Sequence, residues 1–562
     1  MIVIGLFGIK DNPDARTESG RANIVHDHNM TILHDGGLID YIHLERYTRI
    51  KYDSRLELFF EDLLRNHFSR TILDKVVIIS VNSFLGNSFI SNGGQVRIEP
   101  GSKMSVEDIM TPASIELGPN APKSIGKAEA WIINHEIAHI GSTLPFFGRF
   151  LPNSLLIHID GGAFVSNSSV WYYDGERIDY IDHSWSKLKD VVNNFNANPL
   201  VFAILGEPEI NHVSVPGKLM GYASFGEAKP EMTRWLRENN YFLEYDGNNM
   251  ELLEIINHKF GTSFSRFNTK NRIMMDIAAC LQAEFERKII DFIQQYHDST
   301  NAKNLYYSGG AALNIKTNAR IENECGFENV FIPPCCNDSG LSLGAAYYYL
   351  FSNRIAFNKI SPFQNKMGSK PLPKKYSFNI NTVINRIMKG DVLGVFLGYG
   401  ETGPRALGHR SIIARPDIPA LSKKVSEVIK GREWYRPLAP IIADYIALEI
   451  LAEDVSRSKL AGFMLGAYHL KDRYAQDFKG VVHIDGTLRP QVIHKNDGET
   501  RFLYTVLRQL DKQYGIKGLI NTSFNKKGKP MVQTAEHAVN DGRSMGLDGV
   551  ICIDRFIDFK QT

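Results

Sequence analysis

His135-Glu136-Ile137-Ala138-His139 sets two imidazoles four residues apart, one helical turn, so both can grip one ion from the same helix face. This HExxH spacing is the one zinc peptidases use, with the glutamate activating water and a third ligand further along the same helical region. Here Gly141 and Pro145 end the helix early, so any further ligand must come from elsewhere. The first carboxylate downstream is Asp160, closing the apolar run from Ser154, which reads as a buried strand followed by Gly161 and Gly162. Asp338 lies in the polar, Gly-flanked turn Asn337-Asp338-Ser339-Gly340, from which a carboxylate can be aimed at the histidine pair. The motif taken alone leaves a peptidase, a metal serving another reaction, and a metal-free histidine pair all open.

A second constellation is cationic. Arg405, His409, Arg410 and Ser411 stand in a Gly- and Pro-shaped loop, Lys430, Arg432 and Arg436 follow before Pro437, and Asn521, Ser523 and Asn525 add short polar groups after a buried strand. In the stretch His483 to Gln491 the residues His483, Asp485, Thr487, Arg489 and Gln491 alternate, which in a strand points all five to one face. Forked guanidiniums among such turns suit pairs of phosphate oxygens, so the expected ligand is a phosphorylated metabolite or a nucleotide. Gly398 to Gly403 satisfies GxGxxG, but Pro404 occupies the helix start, and the chain contains no GxxxxGK[ST] loop. Neither a dinucleotide fold nor P-loop chemistry is implied.

The elements that must position these groups show a weak duplication. Thr31–His34, the turn Asp35-Gly36 and Ile39–Ile42 recur as Ser169–Tyr173, Asp174-Gly175 and Ile178–Ile181, with both landmarks 139 residues apart. Asp-Gly between apolar runs signals a hairpin, so the repeat predicts two similar halves with a cleft between them. Such duplicated ββ-αβ halves are the architecture of actin-like (ASKHA) sugar kinases and ATPases. Trp171, Tyr172 and Tyr173 fall in a hairpin strand and read as packing. Ile273, Ile277, Leu281, Phe285 and Ile289 predict one long core helix over Ile273 to His297. After it, Leu305–Tyr307 reads as a strand breaking at Gly309-Gly310 before a new helix near Asn314, a place where backbone amides attract phosphate. Lys-, Asn-, Ser- and Pro-rich sequence then reads as a linker over about 356–378, separating 1–355 from a second α/β domain at 379–562.

Composition bounds the answer. A chain of 562 residues with 43% hydrophobic content can fill more than one core, and 64 basic against 62 acidic residues leave a net charge of only +2. No global field for nucleic acid or membrane exists, so any anion site is local. Five cysteines without a paired framework suit a reducing compartment, and Met1–Ile9 reads as a first strand rather than a signal peptide. A cytoplasmic protein is expected.

Taken in order, His26-Asp27, Glu45 to Lys51, HEIAH, SGGAALN, CNDSGLSLGAA, GPRALGHRS, KGREWYRPLAP, HIDGTLRPQ and NTSFN resemble the O-carbamoyltransferases of nodulation and antibiotic biosynthesis, the tobramycin and cephamycin carbamoyltransferase group, over nearly the whole chain. The resemblance implies an actin-like N-terminal domain and a C-terminal α/β domain similar to threonylcarbamoyl-adenylate synthase. It implies a reaction in which ATP and carbamoyl phosphate give carbamoyl adenylate, whose carbamoyl group passes to a hydroxyl of a small molecule. It also places His26 and Lys51 at the transfer centre, and His135, His139, Asp160 and Asp338 around iron(II), with magnesium accompanying ATP. Gly309, Gly310 and Asn314 fall on the N-terminal nucleotide site. Arg405, Arg410, Lys430, Arg436, His483, Arg489, Asn521, Ser523 and Asn525 fall on the carbamoyl phosphate and ATP pocket. Glu136 departs from the family pattern, which carries a second histidine there. No nucleic acid and no membrane partner is expected, and a homodimer is compatible with the sequence. The competing readings are a tRNA threonylcarbamoyl-type transferase, a zinc peptidase and a non-catalytic actin-like module.

Overall fold

The computed structural model describes residues 1–9, 25–68, 75–102, 104–105 and 107–560. Two sheets in the N-terminal part share one topology. The first is built on β1 (Ile2–Phe7), β2 (Asn29–His34), β3 (Gly37–His43), β4 (Val76–Val81) and β5 (Glu129–Ile133). The second is built on β6 (Ser154–Ile159), β7 (Ser168–Tyr173), β8 (Ile178–Ser184), β9 (Asn304–Ser308) and β10 (Asn329–Phe331). Their spatial orders, β3-β2-β1-β4-β5 and β8-β7-β6-β9-β10, correspond strand for strand. In each, two antiparallel partners precede two parallel ones. The duplicated actin-like arrangement expected from the two Asp-Gly hairpins is therefore present, and the first sheet is extended by three further strands beyond β5.

The long helix spans Arg272–Thr300, opened by the Asn271 side chain accepting from Ile273 N and closed by Asn301 at φ 52°. Ile277, Leu281, Phe285 and Ile289 are buried along it, as their spacing requires. Trp171 is fully buried in a core that draws on both sheets, so it packs the hairpin as its pattern suggests.

The C-terminal α/β part forms a seven-stranded mixed sheet in the order Gln491–Ile493, Ala439–Ala443, Leu519–Ser523, Arg410–Ala414, Leu393–Phe396, Gly549–Cys552, Arg555–Asp558. Its surroundings merge with the N-terminal part, because Tyr435, Leu460 and Leu465 join the hydrophobic core around the long helix. Polar staples reinforce this contact: Lys316 to Asp485 (2.8 Å), Asn318 Nδ2 donating to Leu465 O (2.9 Å) and Tyr468 OH donating to Glu322 (3.1 Å). Between Asn353 and Asn379 the only regular element is Phe363–Asn365, which pairs with Gly400–Glu401. No helix is long and apolar enough to cross a membrane among the described residues.

One expectation is corrected. Residues 483–491 do not form a single strand, because Gly486 (φ 78°) turns the chain after Asp485 and only Thr487–Leu488 and Gln491–Ile493 are extended. Asp485 caps that turn by accepting from Thr487 N (3.1 Å), so the alternating pattern spans a turn and two short strands that pair with different neighbours.

Candidate functional site

β5 ends directly before the helix His135–Gly141, whose N-cap Asn134 accepts from Glu136 N (3.0 Å). This helix crosses Leu341–Ser352 so closely that a Cβ on Gly344 would lie 1.7 Å from Ala138 O. The crossing brings the Asp338 turn over the histidines. His135 Nδ1 donates to Asn82 O (3.1 Å) and His139 Nδ1 donates to Cys336 O (3.1 Å), since a carbonyl can only accept. Both Nε2 atoms are thereby turned inward, 3.2 Å apart. Asp338 Oδ1 stands 3.4 Å from His139 Nε2 and 4.0 Å from His135 Nε2, and Asp160 Oδ2 stands 3.8 Å from His139 Nε2.

The electrostatics fit a cation at this point. Two inward Nε2 atoms at 3.2 Å repel unless a proton or metal lies between them. Burial opposes a charged His139, but Asp338 and Asp160 outweigh it and raise its pKa, whereas burial and His139 lower His135 to about 4. Burial and the neighbouring Asp338 raise Asp160, the mark of two carboxylates sharing a site without a counter-ion. His135, His139 and Asp338 present ligand atoms within 4.8 Å of one another.

Sequence reasoning missed His158. It lies on β6 two residues before Asp160 and therefore on the same face, stacked on His139 with ring centroids 5.1 Å apart. Its two ring nitrogens have no partner among the described residues. An imidazole inside an apolar run gives no signal that separates it from core packing.

Glu136 points away from the histidines. Its Oε1 accepts from the amides of Phe164 (3.1 Å), Val165 (2.8 Å) and Ser166 (3.1 Å), gathering the loop after Asp160. With one oxygen fixed by three amides of that loop and the other buried, Glu136 serves the loop, and nothing places it against an ion as a peptidase base.

His26 adjoins this centre. Its Nδ1 lies 3.1 Å from Asp27 Oδ2 and 4.0 Å from Asp338 Oδ2. Asp27 also accepts from Asn337 Nδ2 (3.1 Å) and lies 3.0 Å from His43 Nε2, while Asn29 donates to both Asp27 O and Asp338 O. Burial works against the charged form, yet Asp338 and Asp27 raise His26 to about 9. A neutral imidazole at His26 thus requires that the charge on Asp338 first be compensated. Lys51 lies 2.7 Å from Glu45 Oε2, which with other nearby anions holds it charged.

Gly309 (φ 109°) leaves no room for a side chain, since a Cβ there would lie 2.1 Å from Ile159 O, and the Gly310 amide donates to Asp160. Asn314 caps the helix Ile315–Glu324 and lines the same cavity as His26, Asp160, Gly310 and Asp338. Arg405 and Arg436 close that cavity from the C-terminal side and also line a second one with Lys316, Arg432, His483 and Arg489. Gly217, Met220, Arg405 and Arg436 line both cavities and thus form the wall they share.

The second chamber lacks negative charge. Arg405, Arg432 and Arg489 make no ion pair among the described residues, and Arg436 reaches only Glu433 (3.5 Å). Burial and the neighbouring cations depress Arg432 to about 9 and hold Arg489 well below its usual range. Arg405 Nε and His483 Nε2 are buried without a partner among the described residues. A polyanion is the group that satisfies all of these.

Not every expected residue reaches this chamber. Arg410 is a correction: its guanidinium donates to Leu397 O (2.6 Å), His409 O (3.0 Å), Gly398 O (3.2 Å) and Ser369 Oγ (2.7 Å) and lies over the Phe396 ring, so both terminal nitrogens are spent on the fold. Asn521 is another, donating to Ala406 O (3.0 Å) and Gln491 Oε1 (2.7 Å) inside the sheet. Lys430, Ser523 and Asn525 come together with one another, Lys430 Nζ donating to Ser523 O (2.6 Å), Asn525 O (2.5 Å) and Asn525 Oδ1 (2.7 Å).

Residues 19–347 match the carbamoyltransferase N-terminus family and residues 384–558 the carbamoyltransferase C-terminus family. Nodulation protein NolNO of Sinorhizobium fredii is 24% identical over 595 aligned positions, covering 100% of this chain and 83% of that protein. Nodulation protein U of the same organism is 33% identical over 277 positions, 48% of each chain. The solved structure of full-length HypF in its phosphate- and nucleotide-bound form aligns at 13% identity with a TM-score of 0.31, over 63% of this chain and 55% of that one.

Proposed function

The chain belongs to the carbamoyltransferase family, and from that premise we propose that it is an ATP-dependent O-carbamoyltransferase acting through carbamoyl adenylate on a small-molecule hydroxyl. The observation that carries this reading is the pair of chambers with opposite charge deficits sharing Arg405 and Arg436. In the cationic chamber, Arg405, Arg432, Arg436 and Arg489 bind the phosphates of carbamoyl phosphate and ATP. Water cleaves the carbamoyl phosphate held there to carbamate and inorganic phosphate, and because carbamate is short-lived in water, enclosure matters. Its oxygen attacks the α-phosphorus of ATP, a bond to pyrophosphate breaks, and the cations offset the charge on the departing group.

The adenylate then serves the N-terminal chamber. Asn314 and the Gly309-Gly310 turn hold the nucleotide against Asp160 and Asp338. His135, His139, Asp338 and Asp160 would hold a divalent ion, iron(II) in this reading, which when bound supplies a Lewis acid for carbamoyl or phosphate oxygens. His26, oriented by Asp27, positions the acceptor hydroxyl and takes its proton once the Asp338 charge is compensated. The hydroxyl oxygen bonds to the carbamoyl carbon and the bond to AMP breaks. Lys51 contributes positive charge beside this centre.

A near-neutral surface charge favours a small acceptor over tRNA. Five free cysteines suit a cytoplasmic setting. The test is incubation with ATP, magnesium, carbamoyl phosphate and iron(II) over a panel of hydroxylated metabolites. AMP and pyrophosphate that depend on acceptor support the proposal, and ADP formed instead contradicts it.

A further inference from the structure

The strand β6 divides its side chains between two environments. Leu155, Ile157 and Ile159 enter the core around the long helix, whereas Leu156, on the opposite face, packs with Ile137 and Ala138 of the helix His135–Gly141. Alternation puts His158 and Asp160 on that second face, toward the histidine pair. His158 is fully buried, and neither of its ring nitrogens has a partner among the described residues. The hydroxyls paired with it across the sheet are turned elsewhere, Ser308 donating to Cys336 O (3.2 Å) and Ser169 sharing a hydrogen bond with Ser166 Oγ (2.5 Å). A neutral imidazole carries one donor and one acceptor, and burying both idle is costly, so its lone pair is open to a ligand from outside the chain.

The ring stands where a metal ligand would. It stacks on His139 with centroids 5.1 Å apart, close to the 4.9 Å between His135 and His139. Metal–nitrogen bonds of about 2.1 Å set the centres of two neighbouring imidazoles on one ion roughly 5 Å apart. Ligand atoms of His139, His158 and Asp160 lie within 4.8 Å of one another, as do those of His135, His139 and Asp338. The two triads share His139, whose Nδ1 is committed to Cys336 O, so its one open nitrogen can serve only one ion. They are therefore parts of a single centre.

We propose that His158 is a third imidazole ligand of the divalent ion assigned above to His135, His139, Asp338 and Asp160. The inference rests on the metal reading of the transfer chamber and adds to it a ligand from the second repeated half. Its consequence is selectivity. Three imidazoles favour a transition metal over magnesium, which prefers oxygen ligands and accompanies ATP into the same molecule. Five donors also exceed the four of a tetrahedral zinc site and suit an ion with a larger coordination shell.

The test loads the metal-free, full-length protein with cobalt(II) alone, in the absence of nucleotide and carbamoyl phosphate. Paramagnetic proton NMR then counts the ligating histidines by their strongly shifted, solvent-exchangeable ring N–H signals, and competition with a chromophoric chelator gives the affinity. Three such signals are expected in the wild type and two in His158→Phe, which keeps a flat ring against His139. The cobalt Kd should rise in His158→Phe by at least about tenfold. Two signals in the wild type, or an unchanged Kd in folded His158→Phe, would overturn the proposal and make His158 a packing residue. Should His158→Phe not fold, the wild-type count decides alone. Cobalt bound through two histidines leaves the metal reading of the transfer chamber intact, whereas a wild type that takes up no cobalt sinks that reading and this ligand together.

Discussion

The chamber between the repeated sheets is lined by His26, Asp160 and Asp338, whereas the chamber beside the C-terminal sheet is lined by Arg405, Arg432, Arg436 and Arg489. In the first, Asp338 and Asp160 favour the charged form of His139 against its burial, and in the second, guanidiniums are depressed by burial and by one another. The difference teaches that a site can be identified by the charge it lacks. A buried group is tolerated only if paired, so each deficit specifies the sign of its ligand. Arg405 and Arg436 line both chambers, so each deficit faces the same pair of guanidiniums.

Removing a cation should have the largest effect. Arg489→Ala is expected to lower pyrophosphate release from ATP and carbamoyl phosphate by about 10²- to 10³-fold, the scale for a charge-stabilising donor in a closed site. Steady-state pyrophosphate assays at fixed ionic strength check this. An unchanged rate would place the anion elsewhere.

Glu136 sharpens the comparison from the acidic side. Glu136→Ala strands three amides and should reduce acceptor-dependent AMP formation about tenfold, while Glu136→Gln, which keeps an accepting oxygen, should stay within about threefold of wild type. A peptidase-type role for Glu136 predicts instead that Gln is as damaging as Ala.

Acid provides a smaller probe. Burial holds the His135 pKa near 4 against an ordinary 6.5, so the unfolded chain binds the proton first. The stability this group contributes in the metal-free protein is complete above pH 6.5, declines below it and is lost as the pH falls through about 4. Denaturant titrations between those limits should show a slope that His135→Phe lacks.

Much of this was legible in the chain. The HEIAH helix, its early end, the buried strand before Asp160 and the two Asp-Gly hairpins follow from periodicity and turn chemistry, which are local. What stayed hidden depends on tertiary partners. Arg405 and Arg410 sit five residues apart in one motif, yet Arg405 faces both chambers and Arg410 is consumed by backbone carbonyls. His158 looked like core because only the fold brings it against His139. Lys316 reaches the cationic chamber from the other half of the molecule, a placement no spacing encodes.

The division of labour between the chambers is tested most directly by Asp338→Asn, followed in a single turnover with ATP, magnesium, carbamoyl phosphate and a carbamoyl acceptor. The account predicts a pyrophosphate burst near the wild-type rate and loss of acceptor-dependent AMP release, because the adenylate is still made and no longer consumed. Loss of the pyrophosphate burst together with AMP release, in a variant that remains folded, would contradict it.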